Sequence, residues 1–221
     1  LFQDVLSNAD DPRIRAAVVR VLSHWGERIP DARRMKMLNA LVSDEHPRVR
    51  LEAIRALGQI KNETSANIAL KTLDKPMDRF LDYGLWLTMN DLAEPFVRGM
   101  QSGALNFQNK TTHAEFALRS LPPGQAASLI SQLVRQRKLP ADGSGPLIEL
   151  VGSAGGAREL SILYKQLQQG GFKPTVVPRV LSALARAANL RNVRPSGDLS
   201  GVGGHLKTDD DATRNFAVQL A

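Results

Sequence analysis

The chain has 221 residues, 43% of them hydrophobic, enough to bury one continuous core or an elongated repeat array. It contains no cysteine, so disulfides, thiolate metal sites, thiol catalysis and covalent attachment of c-type haem are excluded within it. Its net charge of +7 is spread as +3, +1 and +3 over residues 1–75, 76–146 and 147–221, unlike the concentrated patch of a nucleic-acid binder, so nucleic acid is not an expected partner.

The sequence opens on Leu1 rather than Met and stops at Ala221 inside an apolar-periodic stretch, which reads as one helical-repeat domain taken from a larger multidomain protein. No run of 18 apolar residues is present, so no transmembrane helix is expected. The first clear element is Asp11-Pro12-Arg13-Ile14-Arg15-Ala16-Ala17-Val18-Val19-Arg20-Val21-Leu22. It returns thirty-five residues later as His46-Pro47-Arg48-Val49-Arg50-Leu51-Glu52-Ala53-Ile54-Arg55-Ala56-Leu57. An Asp before the helix can cap the unpaired N–H groups of its first turn, and a proline at the first helical position gives up nothing. Ile14, Val18, Val21 and Leu22, and Val49, Ala53, Ala56 and Leu57, recur at helical spacing and form the expected apolar stripes. Ala17 and Ala53 are small enough to let helices approach. One helix pair of this length cannot bury its stripe alone, so neighbours are expected to stack.

Between the two copies, Asp31 to Val42 reads as a partner helix, capped by Asp31, with Met35, Leu38, Leu41 and Val42 as its stripe. Thr64 to Leu73 reads as the next, with Ile68, Leu70 and Leu73. From residue 76 the repeats become irregular. Helices are predicted from Pro76, over Leu92–Met100 with Pro95 in the first turn, and over Thr112–Leu121, Gly124–Lys138 and Pro146–Val151. Two more are predicted over Glu159–Gln169 and Pro178–Leu190. Gly143, Gly145, Gly152, Gly155 and Gly156 punctuate one region, and residues 195–208 read as a loop. Asp210 to Leu220 starts a further repeat helix resembling the first two copies. With no sustained period-two alternation, the expected fold is all-α, an α-α superhelix of the HEAT/armadillo-like solenoid type with 11 to 13 helices. Its clear repeats cover 11–75, its irregular ones 76–194, and another repeat begins at 210–221.

Few residues are arranged for chemistry. His24, His46, His113 and His205 lie far apart in sequence, and no metal-ligand spacing is present. Gly201-Val202-Gly203-Gly204 lacks the strand and the lysine of a phosphate-binding loop. Asp78 and Asp82, four apart on one helical face, suit either an acid–base pair or a cation. They equally suit an acidic first turn favoured by the helix dipole, with Lys75 and Arg79 as partners, and this second reading is the expected one. Phe80, Tyr83, Trp86 and Leu87 form either a binding anchor or, as expected of a helical aromatic stripe, part of the core, with Trp86 buried. Arg15 and Arg50 are expected to stitch repeats together through caps and carbonyls rather than to line a binding surface. The stretch from Leu160 to Gly197 holds Lys165, Lys173, Arg179, Arg186, Arg191 and Arg194 and no acid. It offers either a solvated face or, in Arg179, Arg186, Arg191 and Arg194, a surface for a polyanion.

The repeat motif resembles HEAT repeats. Three further segments, Leu73-Asp74-Lys75-Pro76-Met77-Asp78-Arg79-Phe80-Leu81-Asp82-Tyr83-Gly84-Leu85-Trp86-Leu87, His113-Ala114-Glu115-Phe116-Ala117-Leu118 and Val193-Arg194-Pro195-Ser196-Gly197-Asp198-Leu199, extend the resemblance. Together they look like the helical segment of large planctomycete and verrucomicrobial proteins described as membrane-bound dehydrogenases with a c-type haem-binding domain. The resemblance implies an exported protein with a sugar-dehydrogenase-type β-propeller before the helical array and a Cys-x-x-Cys-His haem domain after it. No haem ligand of that family maps onto this sequence, so c-type haem is expected in the separate domain and no cofactor here. The expected role is a non-catalytic scaffold docking the neighbouring propeller and haem domains, and possible other proteins. The alternatives are a polyanion- or partner-binding solenoid using residues 160–197, or a cofactor-binding or catalytic domain centred on Asp78 and Asp82.

Overall fold

The computed structural model describes residues 5–6, 8–25, 28–105, 107, 110–122, 124–136, 139–207 and 211–220. Among these residues the secondary structure is helical, with no strand, and the fold is of the all-α, α-α superhelix class expected from the repeats. The α-helices are α1 (Pro12–His24), α2 (Asp31–Leu41), α3 (Pro47–Gln59), α4 (Glu63–Leu70), α5 (Arg79–Asp91), α6 (Ala93–Ser102), α7 (Thr111–Arg119), α8 (Gln125–Gln136), α9 (Leu147–Ala154), α10 (Ala157–Gln168), α11 (Val177–Arg191) and α12 (Asp211–Leu220). The chain divides into two compact units, Leu1–Leu105 with Ser120–Pro122, and Asn106–Arg119 with Pro123–Ala221.

In the first unit, α1, α3 and α5 stack side by side in one row, and α2, α4 and α6 form the row behind them. Side-chain caps set the frame of the front row; the cap at Asp11 was expected from the sequence, and the cap at Asp78 was not. Asp11 accepts the Arg13 N–H at 2.8 Å, and His46 Nδ1 accepts the Arg48 N–H at 3.2 Å. Asp78 Oδ1 accepts the N–H groups of Phe80 and Leu81 at 2.9 and 2.8 Å. Each satisfies donors that the first helical turn leaves without partners. Pro76 therefore does not open α5 as expected; it lies in the extended approach, and the helix starts behind Asp78. Asp31 does not cap α2 either. Pro30 holds the cap position, and Asp31 is the first helical residue, paired with Arg34. Pro95 falls in the first turn of α6, as expected.

The unit's core is built from Val19, Leu38, Val49, Ile54, Leu57, Leu70, Leu81, Leu85, Met89 and Phe96, all at most 2% exposed. Close contact between α3 and α5 depends on Gly84: a Cβ there would lie 2.3 Å from Leu51 Cδ1. The stripe expected on α1 is half misplaced. Ala16, Val19 and Leu22 are its buried face, whereas Ile14 and Val21 are 48% and 39% exposed and Ala17 is also exposed. The second copy has its corresponding Val49, Ala53 and Ala56 buried, because α1 lies against them.

In the second unit, α7, α9, α11 and α12 pack in succession, while α8 packs with α9 and α10. Gly152, read from sequence as punctuation, lies buried inside α9. Its ideal Cβ position is 2.8 Å from the Ala183 carbonyl oxygen and 2.9 Å from Ala183 Cα, so α9 and α11 touch backbone to backbone. The segment expected to be a loop to residue 208 instead contains a 3-10 helix over Ser200–Lys207, which packs with α12.

Candidate docking surface

The arginines of the repeat motif are structural fasteners, as expected. Arg15 Nη1 donates to the carbonyls of Ala9 and Asp10 at 2.9 and 3.0 Å. Arg50 Nη1 donates to those of Asp44 and Glu45, thirty-five residues on, at 2.8 and 2.9 Å. The other end of each guanidinium crosses to the next repeat. Arg15 Nε and Nη2 grip the Asp44 carboxylate at 2.9 and 3.0 Å, and Arg50 Nη2 donates to the Pro76 carbonyl at 2.6 Å. A planar fork of five N–H donors can bridge two loops in this way; an ammonium cannot. Burial pushes the Asp44 carboxyl up, but the Arg15 guanidinium and the His46 N–H outweigh it and hold the group below the usual carboxylate range. These arginines are consumed in joining repeats and present no charge to a ligand.

Asp78 is spent on capping α5, and Asp82 stands exposed in its first turn. The partners expected for them are engaged elsewhere: Lys75 pairs with Glu45, and the Arg79 guanidinium lies over the Phe80 ring, 4.7 Å from its centroid. The aromatic stripe, expected in the core with Trp86 buried, is on the surface. Phe80 is 60% exposed, Tyr83 61% and Trp86 40%, and the Tyr83 and Trp86 rings stack with centroids 6.0 Å apart. The buried positions of α5 are instead Leu81, Gly84, Leu85, Thr88 and Met89. Three exposed aromatics on one helix, flanked by Asp82 and Arg79, make the most anchor-like surface of the first unit.

Within the basic stretch Arg179 and Arg186 face carboxylates, whereas Lys165 and Lys173 are exposed. Arg179 Nε donates to Glu149 at 2.8 Å and its Nη1 to the Gly143 carbonyl at 2.9 Å; Arg186 donates to Glu115 at 3.2 Å. Arg191 donates to the Gly155 carbonyl and, through burial, is held below the usual arginine range. Arg194 is exposed beyond the end of α11. A shallow groove of about 250 Å³ runs beside Arg179 and Arg186, with Glu149 in its wall, which sets a negative charge against any anion there. Both glutamates come from elsewhere in the unit.

Elsewhere, an open cleft of about 670 Å³ between the end of α1 and the start of α2 is lined by Ser23, His24, Arg28, Asp31, Arg34 and Gln59; its carboxylate, Asp31, is bound to Arg34. Glu159, at the start of α10, accepts the Gly156 N–H at 3.0 Å and the Ser131 hydroxyl. Burial raises its carboxyl pKa, but these bonds hold it below the usual range. Among the described residues, no group of histidines and carboxylates is arranged to hold a metal ion, and no helix is long and apolar enough to cross a membrane. Of the histidines singled out, His113 is buried in α7, His46 caps α3 and His24 is exposed, while the side chain of His205 and residues Asp209 and Asp210 lie outside the described set.

Stacked helix pairs joined through motif arginines define a helical-repeat fold. Residues 1–82 match the family described as HEAT repeats, and this match covers both clear copies and their partner helices. No curated protein and no solved structure matches the chain.

The exposed apolar face of α1 was not foreseen as a surface feature. The two copies carry the same stripe, and α1 covers it in the second.

Proposed function

We propose that this chain is a non-catalytic helical-repeat scaffold that docks other protein domains, within a larger exported redox protein whose c-type haem is carried by a separate domain. The observation that supports the scaffold most is the use of the polar side chains: Arg15, Arg50, Asp78, Glu159, Arg179 and Arg191 are spent on caps and interloop bonds. What the first unit offers to solvent is an aromatic face on α5. HEAT-type arrays characteristically serve as semi-rigid surfaces for other proteins. The redox context rests on the sequence resemblance described above. The polyanion alternative is weaker, because Arg179 and Arg186 each face a glutamate.

Peptide mapping of the intact protein tests this reading. Thioether-linked haem on a peptide outside residues 1–221 supports it. Haem held within residues 1–221 overturns the scaffold, and an intact protein without haem overturns the redox context while leaving the scaffold in place.

A further inference from the structure

The front row of the first unit is capped by three side chains, and one differs in kind. Asp11 and Asp78 bring carboxylate oxygens to the first-turn N–H groups of α1 and α5, whereas α3 is closed by the imidazole of His46. A carboxylate serves as a cap until it is protonated, which for the ordinary group happens near about pH 4. A ring nitrogen is a different acceptor. Pro47 has no N–H, so the Arg48 N–H is the first donor the turn must satisfy. His46 Nδ1, 3.2 Å away, can accept it only while that nitrogen carries no proton; in the imidazolium both ring nitrogens are donors. The cap of α3 therefore requires a neutral ring with its proton on Nε2.

The loop that holds this cap is also the joint between repeats. Asp44 Oδ1 accepts the backbone N–H of His46 at 2.8 Å. The same carboxylate is gripped from α1 by Arg15 Nε and Nη2 at 2.9 and 3.0 Å. The charged groups around the joint are Asp44, Glu45 and the exposed Arg48 on the segment itself, and Arg50, which holds the Asp44 and Glu45 carbonyls. From α1 comes Arg15, with Asp10 and Asp11 beside it, and from the approach to α5 comes Lys75, paired with Glu45. Burial pushes the Asp44 carboxyl up; the bonds from Arg15 and His46 and the positive charge of both hold it below the usual range.

A proton on His46 reverses its polar role. It removes the acceptor from the Arg48 N–H and sets a cation at a helix N-terminus, where the helix dipole disfavours it. It also sets that cation beside the Asp44 carboxylate on which Arg15 depends. One cap is lost and one ion pair gained within a single turn, so the exchange of partners is local and overall melting stays nearly level. Imidazole is the side chain suited to a change of charge between about pH 5 and 8, above the range in which carboxylate caps are lost.

We propose that His46 is a proton-operated latch at the joint between the first two repeats. Neutral, it closes α3 and leaves Asp44 to Arg15. Protonated, it releases the Arg48 N–H and competes with Arg15 for Asp44, and the joint loosens. The scaffold reading does not depend on it.

Nuclear magnetic resonance of the 15N-labelled 221-residue chain, from about pH 8 to about pH 5, tests the proposal. The ring signals that vanish in His46→Asn identify those of His46. At the upper pH, Nδ1 is expected at the position of an unprotonated ring nitrogen and Nε2 at that of a protonated one. As the ring gains its proton, the Arg48 amide is expected to shift upfield and the Arg15 Nε–H to shift towards a solvated guanidinium, both with the midpoint of the His46 ring. The amides of Arg13, Phe80 and Leu81, bound to Asp11 and Asp78, are expected to stay in place. His46→Asn, whose amide oxygen caps without titrating, is expected to abolish both steps; circular dichroism checks that its helicity is kept. A neutral ring protonated on Nδ1, an Arg48 amide or an Arg15 Nε–H indifferent to the ring's titration, or the same two steps in His46→Asn would each overturn the proposal.

Discussion

Arg50 donates from Nη2 to the carbonyl oxygen of Pro76, 2.6 Å away and one repeat further along the chain, while its Nη1 holds the two carbonyls that precede its own helix. The residue is only 2% exposed, so three backbone acceptors depend on it with little water to replace it. Hydrogen bonds to a charged donor contribute about 1.5–3 kcal/mol each, and they are not additive when one group makes several. We expect Arg50→Ala to destabilise the first unit by about 3 kcal/mol, and Arg50→Lys to recover only part of that, since one ammonium cannot reach both loops. Denaturant unfolding of the two variants measures this; equal stability of Arg50→Ala and the parent would show that the guanidinium is not a fastener.

Trp86→Ala is expected to change stability by less than about 1 kcal/mol, because a surface aromatic gives up little on truncation, whereas a buried one costs about 3–5 kcal/mol. Thermal melting distinguishes the two. A loss of several kcal/mol would return the stripe to the core.

Gly152→Ala has the opposite expectation. The added methyl would meet the backbone of Ala183, which cannot rotate aside, so α9 and α11 must separate. Overpacking of this kind costs about 1–3 kcal/mol. Chemical denaturation of Gly152→Ala checks it, and a neutral effect would mean that the two helices part freely.

Acid is expected to weaken the fold through two carboxylates. The pKa values of Asp44 and Glu159 are lowered by their partners in the folded chain, so their contribution is fully present above the ordinary carboxylate range, about pH 4. It is lost as pH falls through the lowered folded values. Melting temperatures recorded from pH 7 down to about pH 3 should therefore hold steady and then fall, and the fall should be shallower in Asp44→Asn. An Asp44→Asn variant with the parent's acid slope would remove the Arg15–Asp44 pair from the account.

The parts of this structure that follow from local rules were legible in the sequence. The cap at Asp11, proline at the first helical position of α1 and α3 and a 3.6-residue apolar period are short-range signals, and they located α1 and α3 to within a few residues, whereas α5 starts behind Asp78 rather than at Pro76. Even the interloop role of Arg15 and Arg50 follows from a charged residue recurring inside an apolar repeat. The exposed flanks were not legible, for one reason. Ile14 and Val49 occupy the same place in the motif, yet Val49 lies on the helix packed against α1 and is buried while Ile14 is exposed. Tyr83 and Trp86 likewise carry the spacing of a core stripe, because in α3 that flank is core. The glycines near residue 201 pointed to a loop because they disfavour α-helix, yet Gly201 lies in a 3-10 helix close to side chains of α10. A Cβ there would sit 2.6 Å from Gln168 Nε2 and 3.1 Å from the Tyr164 hydroxyl.

The most direct test of the scaffold account is a haemin titration of residues 1–221, followed in the visible spectrum. Haem held without cysteines needs an axial histidine in an apolar pocket, and His24 is exposed while His113 is packed inside α7. The account predicts a featureless titration and no electron transfer by the chain alone. A sharp, stoichiometric Soret band that disappears in His24→Ala or His113→Ala would contradict it.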